Sequence, residues 1–210
     1  MKTEYHKIQS VYKRDPETKF KTLLEGEFSL PIFEYLKDNE WVFTEKVDGT
    51  NIRVILNEED LKFGGRSDQA QLPGELLNRL SERFKEDVLR SYFEDGAVLY
   101  GEGYGPKIQK GDLYRSDQDF VLFDVRVGQW WLERSDVEQV AKNLKIDVVP
   151  IIGTGTIQDI VALCKKGFNS TWGDFESEGV VARPRVEMKM RNSDRVITKL
   201  KCRDFYHLKK

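Results

Sequence analysis

The segment TEKVDGTN, residues 44–51, places a lysine two residues before an aspartate and a glycine. An ε-amine has a reference pKa of about 10.4 and is protonated at neutral pH, so it becomes a nucleophile only when burial or a nearby cation favours the neutral form. Lys-x-Asp-Gly alone is a weak motif, because an arbitrary lysine of this kind is far more often a surface residue on a hairpin. The segment therefore predicts a reactive Lys46 only if compatible residues follow downstream.

Short strands are predicted on both sides of this lysine. WVF precedes it at residues 41–43, and Ile52, Val54 and Leu56 follow it with a period of two. A lysine between two strand ends can be aimed at a reacting group, whereas a lysine on a mobile loop cannot.

The rest of the chain predicts more strands than helices. Helices are expected from an apolar stripe at 76–89, from a capping-box pattern at 135–138 and after Thr156. Strands are expected at 61–63, 97–100, 120–125, 148–152, 178–181 and 195–201. Because the strands follow one another as meanders, the pattern predicts an α+β fold of antiparallel sheets with flanking helices.

The composition suits one soluble domain of 210 residues. Net charge is −2, but residues 183–210 carry ten Lys or Arg against three acids, so a basic strip there could face phosphates. Two cysteines and no signal-peptide pattern indicate a reducing, cytoplasmic location. No apolar run reaches the roughly 18 residues of a membrane helix, and two histidines give no zinc-type cluster.

TEKVDGTN resembles motif I of the covalent nucleotidyltransferases, the polynucleotide ligases and mRNA capping enzymes, and its Gly-Thr-Asn continuation is most similar to the RNA ligase 2 family. Further segments resemble that family's motifs in the family's order, from about residue 41 to 205: GGRSD, YGEGYG, FVLFDV, SEGVV and ITKLKC. The resemblance implies one nucleotidyltransferase domain, the ATP-grasp-like ligase adenylation domain, over residues 1–210. It also implies a stand-alone catalytic domain, because the chain stops nine residues after Lys201 with no appended carboxyl-terminal domain.

The resemblance also assigns the site residues. Lys46 is the implied nucleophile and Glu178 the implied metal ligand. The implied nucleotide contacts are Glu45 at the adenine, Asn51, Arg66 near the reactive strand ends, Glu102 at the ribose, Phe123 on the base, and Lys199 and Lys201 at the α-phosphate. Two lysines two residues apart on a strand share one face, so both can neutralise a phosphate and disfavour the ammonium form of Lys46.

The implied activity is that of an ATP-dependent RNA ligase with ATP and Mg²⁺ or Mn²⁺ as cofactors. It would seal 5′-phosphate and 3′-hydroxyl ends of RNA, including nicked duplexes, through lysyl-AMP and an adenylylated RNA end, in RNA repair. A separate protein could supply RNA binding or end healing, and the enzyme could be virus-encoded and act in the host cytoplasm. A DNA ligase, a GTP-using capping enzyme and a catalytically idle RNA-binding module stay open as alternatives.

Overall fold

The computed structural model describes residues 3–208. Its strands are β1 (Gln9–Ser10), β2 (Tyr12–Arg14), β3 (Leu23–Phe28), β4 (Trp41–Glu45), β5 (Thr50–Leu56), β6 (Leu61–Gly64), β7 (Ala97–Tyr104), β8 (Asp119–Val127), β9 (Trp130–Trp131), β10 (Asp147–Val148), β11 (Ile151–Gly155), β12 (Gly179–Pro184) and β13 (Thr198–Lys201). Its helices are α1 (Pro31–Tyr35), α2 (Gly74–Arg83), α3 (Glu86–Tyr92), α4 (Arg134–Leu144) and α5 (Ile157–Lys166), with 3-10 turns at Gly111–Leu113 and Cys202–Leu208. The predicted α+β class is confirmed.

The chain divides into two compact units. The Lys46 unit contains residues 6–47 and 150–208, and the Phe123 unit contains residues 3–5 and 48–149. Each unit has its own sheet and its own apolar core, as expected for elements that must bury one face.

The sheet of the Lys46 unit has the strand order β1-β13-β12-β4-β11. β4, β12 and β13 pair antiparallel and β1 pairs with β13 in parallel, an exception to the antiparallel prediction. Helix α5 packs against β12 and β13 and buries Ile160 and Cys164 in the core with Leu200. The helix starts where predicted, because the Thr156 side chain accepts from the Asp159 N–H while the Asp159 carboxylate accepts from the Thr156 N–H.

The sheet of the Phe123 unit has the order β10-β8-β7-β5-β6, with β9 on β8. β5, β7 and β8 pair antiparallel, and β10 pairs with β8 in parallel. Helices α2 and α4 pack against β8, and α3 packs against β5. These contacts bury an apolar core between helices and sheet, which includes Leu76, Leu80, Leu99 and Phe120.

The prediction of one continuous helix over residues 76–89 is wrong, because the structure has two helices there. Phe84 is extended, with φ −107° and ψ 110°, and separates α2 from α3. This break buries the Phe84 ring, which packs edge-to-face against Phe120 with 5.3 Å between centroids. The break also exposes the Val88 side chain to solvent, so Val88 is not part of the buried apolar face that the sequence predicted.

Two further local predictions are wrong. Helix α4 begins at Arg134 after Glu133, with no side-chain cap, so the capping box predicted at Ser135 does not form. The strand predicted at 148–152 is divided at Pro150 into β10 and β11, which belong to different sheets. Proline has no N–H for a strand ladder, which favours a break at this position.

None of the helices formed by residues 3–208 has both the length and the apolar sequence needed to cross a bilayer. Cys164 and Cys202 are both buried, and neither is in a disulfide.

Candidate active site

Lys46 immediately follows the last residue of β4, between two strands as predicted, although β4 and β5 lie in different sheets. Its N–H donates to the Gly179 carbonyl at 2.9 Å. Its ammonium donates to Glu178 Oε2 at 2.6 Å. Main-chain and side-chain bonds therefore both hold Lys46 against the start of β12.

Glu178 connects two lysines. Its Oε1 lies 2.5 Å from the Lys201 Nζ, while its Oε2 contacts Lys46. The sheet explains this arrangement, because β12 lies between β4 and β13 and Gly179 is the register partner of Lys201. Gly179 has φ +150°, and a Cβ there would lie 2.0 Å from the Leu200 carbonyl oxygen. Only glycine can therefore occupy the first position of β12.

The charges in this cluster outweigh the effect of burial. The Glu178 side chain is 7% exposed, and burial by itself would raise its pKa. Lys46 and Lys201 oppose burial, and together they hold the pKa of Glu178 below its ordinary value. Glu178 is therefore an ionised carboxylate at neutral pH, surrounded by two ammonium groups.

The expected purely cationic surroundings of Lys46 are wrong in one respect. The sequence predicts repulsion of the Lys46 ammonium by Lys199 and Lys201, whereas in the structure the carboxylate of Glu178 contacts the Lys46 amine. An ion pair stabilises the ammonium form. Lys199 lies on the same face of β13 as Lys201, and both line one cavity of the Lys46 unit.

Glu45, the last residue of β4, is 1% exposed. Its Oε2 accepts bonds from the Thr171 N–H at 2.9 Å and the Thr171 hydroxyl at 2.7 Å. Its Oε1 is buried and, within residues 3–208, accepts no hydrogen bond. Burying an unsatisfied carboxylate oxygen is costly, so this atom can receive a donor from a ligand. Sequence reasoning missed Thr171, which lies 126 residues after Glu45 and is not part of any recognised motif.

The Phe123 unit carries the remaining predicted residues. Asn51 on β5 and Glu102 on β7 are direct register partners, so this pair is brought together. The buried Asn51 Oδ1 also accepts no hydrogen bond from the described part of the chain. Gly49 is required here, because a Cβ would lie 2.3 Å from the Gly103 carbonyl oxygen and 2.7 Å from the Glu102 Cγ.

Phe123 is half-buried on β8, and its ring packs edge-on to Tyr5 with 5.2 Å between centroids. Arg66 is exposed in the bend after β6. The loop that carries Arg66 is held by Arg53, whose buried guanidinium donates to the Gly65 carbonyl at 2.7 Å and pairs with Asp68 at 2.9 Å. Sequence reasoning missed Arg53, whose signal was a lone charge within an apolar strand.

No group of three or more His, Cys, Asp or Glu residues that could cage a metal is formed within residues 3–208. Mg²⁺ commonly uses only one or two protein carboxylates and takes its other ligands from phosphates and water. Glu178, beside two lysines that can bind phosphate, fits a cation that arrives with a nucleotide.

Several RNA ligase structures from Naegleria gruberi are similar to this chain. A mutant bound to ATP and Mn has a TM-score of 0.66 and 20% identity, over 81% of this chain and 51% of that one. The same ligase with PPi has a TM-score of 0.64 and 21% identity, over 81% and 52%. The fold is therefore that of RNA ligases, and this chain spans about half the length of the solved chains it matches.

The chain belongs to the RNA ligase family, whose sequence model matches residues 39–201. A curated viral protein, Protein Early 65 kDa of Autographa californica nuclear polyhedrosis virus, is 33% identical over 78 residues, which are 34% of this chain and 14% of the viral protein.

Proposed function

We propose that this chain is an ATP-dependent RNA ligase that joins 5′-phosphate and 3′-hydroxyl RNA ends through AMP linked covalently to Lys46. The observation that carries the proposal is the Lys46–Glu178–Lys201 cluster, with N–O distances of 2.6 and 2.5 Å, in a member of the RNA ligase family. In the first step, the Lys46 nitrogen forms a bond to the α-phosphorus of ATP. The bond from that phosphorus to the bridging oxygen breaks, and pyrophosphate leaves with the electron pair.

Lys46 must lose a proton before it can attack. Glu178 Oε2, at 2.6 Å from the Lys46 Nζ, holds the amine in place. Because the pKa of Glu178 is lowered, the carboxylate does not keep the proton, which leaves Lys46 for water. Lys201, which contacts the other oxygen of Glu178, would face the phosphate and offset its negative charge.

The unsatisfied Glu45 Oε1 supports adenine as the base. The exocyclic amine of adenine can donate to this carboxylate oxygen, whereas guanine presents a carbonyl at the same ring position. We therefore propose ATP rather than GTP as the nucleotide. Phe123 is the proposed stacking platform for the base, and Asn51 and Glu102 are the proposed contacts to the nucleoside.

The α-phosphate contacts are proposed to come from Lys199 and Lys201, and Arg66 is proposed to lie near the RNA ends. Glu178 would help to hold Mg²⁺ or Mn²⁺ together with the phosphates. When bound, that cation would supply positive charge to the leaving pyrophosphate. Residues 1–210 are proposed to act as one nucleotidyltransferase domain.

Cytoplasmic RNA repair is the proposed setting, in agreement with buried cysteines outside any disulfide. A separate protein that supplies RNA binding or end healing stays a prediction. It is tested by comparing sealing of 5′-phosphorylated and pre-adenylylated nicked duplexes by this chain alone. Sealing of the pre-adenylylated nick alone supports the prediction, and equal sealing of both contradicts it.

The function is tested by incubating the protein with ATP or GTP and a divalent cation and measuring the intact mass. We expect a gain of one AMP with ATP and no gain with GTP. Lys46→Ala abolishes the adduct, while Lys166→Ala, a surface lysine of the same unit, keeps it. An adduct that survives Lys46→Ala refutes the assignment, and the absence of any adduct with either nucleotide favours an idle RNA-binding module.

A further inference from the structure

An open basic groove lies beside β13 in the Lys46 unit. Its volume is about 800 Å³, and its lining contains seven Lys or Arg side chains and one carboxylate. The carboxylate, Asp204, is already engaged by Arg14, whose two terminal nitrogens lie 3.2 Å from it. Lys13 also pairs with Glu27 at 3.3 Å on the exposed surface, and Lys201 pairs with Glu178. The lining still carries more positive than negative charge, which suits a ligand with several phosphates rather than a single carboxylate.

The β2–β3 loop places an aromatic ring in the lining of this groove. Phe20 is 61% exposed and has φ +60°, and Lys19 before it has φ +55°. Two consecutive bulky residues in the left-handed region are unfavourable and persist only when their surroundings fix them. Two hydrogen bonds fix the loop. The Phe20 N–H donates to the Asp15 carbonyl at 2.9 Å, and the Arg14 guanidinium donates to the Phe20 carbonyl at 3.2 Å.

We propose that this groove binds a single-stranded segment of the RNA substrate, with a base stacked on Phe20 and the flanking phosphates on Lys21, Lys13 and Arg203. Exposed aromatic rings beside a cationic track are the combination that binds single strands, because an unpaired base has both faces available for stacking. Every base has such a face, so the groove accepts RNA without sequence preference. The inference rests on the proposed RNA ligase function and names the surface that holds its substrate.

The groove shares Lys201 with the candidate active site. Lys201 lines the groove and also contacts Glu178, the carboxylate that contacts Lys46. An RNA strand along the groove therefore ends beside the lysine cluster. Because all of these residues belong to one compact unit, the path is defined within that unit.

The test measures binding of a fluorescently labelled 12-nucleotide RNA to the full chain, without ATP, by anisotropy. We expect Phe20→Ala to weaken binding by about 5- to 150-fold, the effect of losing one base–aromatic stack. Tyr35→Ala, which removes an aromatic ring that is 82% exposed in the same unit, should leave binding unchanged. Lys21→Ala should reduce the slope of log K against log salt by about 0.7, and Lys166→Ala should not.

A second arm uses an RNA of the same length in which every base is replaced by an abasic position. This abasic RNA should bind the wild-type protein more weakly than intact RNA does, whereas Phe20→Ala should bind both RNAs with similar affinity. Equal RNA affinity of Phe20→Ala and the wild type overturns the inference. A rise in the KM for ATP in both Phe20→Ala and Lys21→Ala, with unchanged RNA affinity, also overturns it, because the groove would then hold the triphosphate. Failure of the proposed function is a separate result, in which RNA binds through Phe20 but no lysine adduct forms.

Discussion

Replacing Glu178 with glutamine removes one negative charge from between two ammonium groups. The carboxylate contacts Lys46 and Lys201 at 2.6 and 2.5 Å, and the side chain of Glu178 is 7% exposed. Breaking a fully buried ion pair costs about 3–5 kcal/mol. The side chains of Lys46 and Lys201 are 20% and 18% exposed, so water can reach their amines in the variant. We therefore expect Glu178→Gln to lower the free energy of unfolding by about 2–3 kcal/mol at neutral pH.

The pH dependence of this loss identifies its cause. The pKa of Glu178 is lower in the folded protein than in the unfolded chain, so its contribution is fully present above the unfolded pKa. As pH falls below that value and through the lowered folded pKa, the carboxylate becomes protonated and the contribution is lost. The stability difference between wild type and Glu178→Gln should therefore be constant from about pH 6 to 8 and shrink towards zero in more acidic buffer.

Urea titrations at a series of pH values, followed by circular dichroism, measure this difference. Glu40→Gln is the matched control, because Glu40 pairs with Arg185 at 2.8 Å on the exposed surface of the same unit. Exposed pairs contribute little to stability, so the control should differ far less from the wild type. A Glu178→Gln deficit that stays the same in acid, or one no larger than the Glu40→Gln deficit, would refute the electrostatic reasoning.

Three further changes test separate features. Gly49→Ala should lower the melting temperature markedly, because the new Cβ would lie 2.3 Å from a carbonyl oxygen. Gly74→Ala should not lower it, because the space around a Cβ there is open. Equal melting temperatures of the two variants would contradict the close approach of the backbone at Gly49. Thr156→Ala should cost about 1 kcal/mol in urea titrations, since it removes the helix cap; an unchanged midpoint would mean that the cap contributes nothing. Glu45→Ala should raise the KM for ATP in lysine adenylylation and reduce the preference over GTP, and an unchanged preference would exclude Glu45 from base recognition.

Local features of this protein could be predicted from the sequence because the atoms involved are close along the chain. Thr156 forms the predicted cap, with Asp159 three residues later as its partner, and the fold class follows from strand patterns and turns. The break at Phe84 could not be predicted, because it depends on Phe120, a ring 36 residues away that only the folded sheet brings into contact. Pro150 was visible in the sequence, but the sheet membership of the strands around it was not.

The order of residues along the chain shows which side chains are available for chemistry: a lysine between strand ends, a glutamate before a glycine, and alternating lysines on a late strand. The partners of these side chains depend on the folded sheet. Glu178 lies 132 residues after Lys46, and it meets both lysines because β12 lies between β4 and β13. Strand order is set by burial of whole faces and by pairing between distant segments, and neither is encoded in the residues around a motif. For this reason the sequence indicated a cationic pocket, whereas the folded chain places a carboxylate against the amine of Lys46.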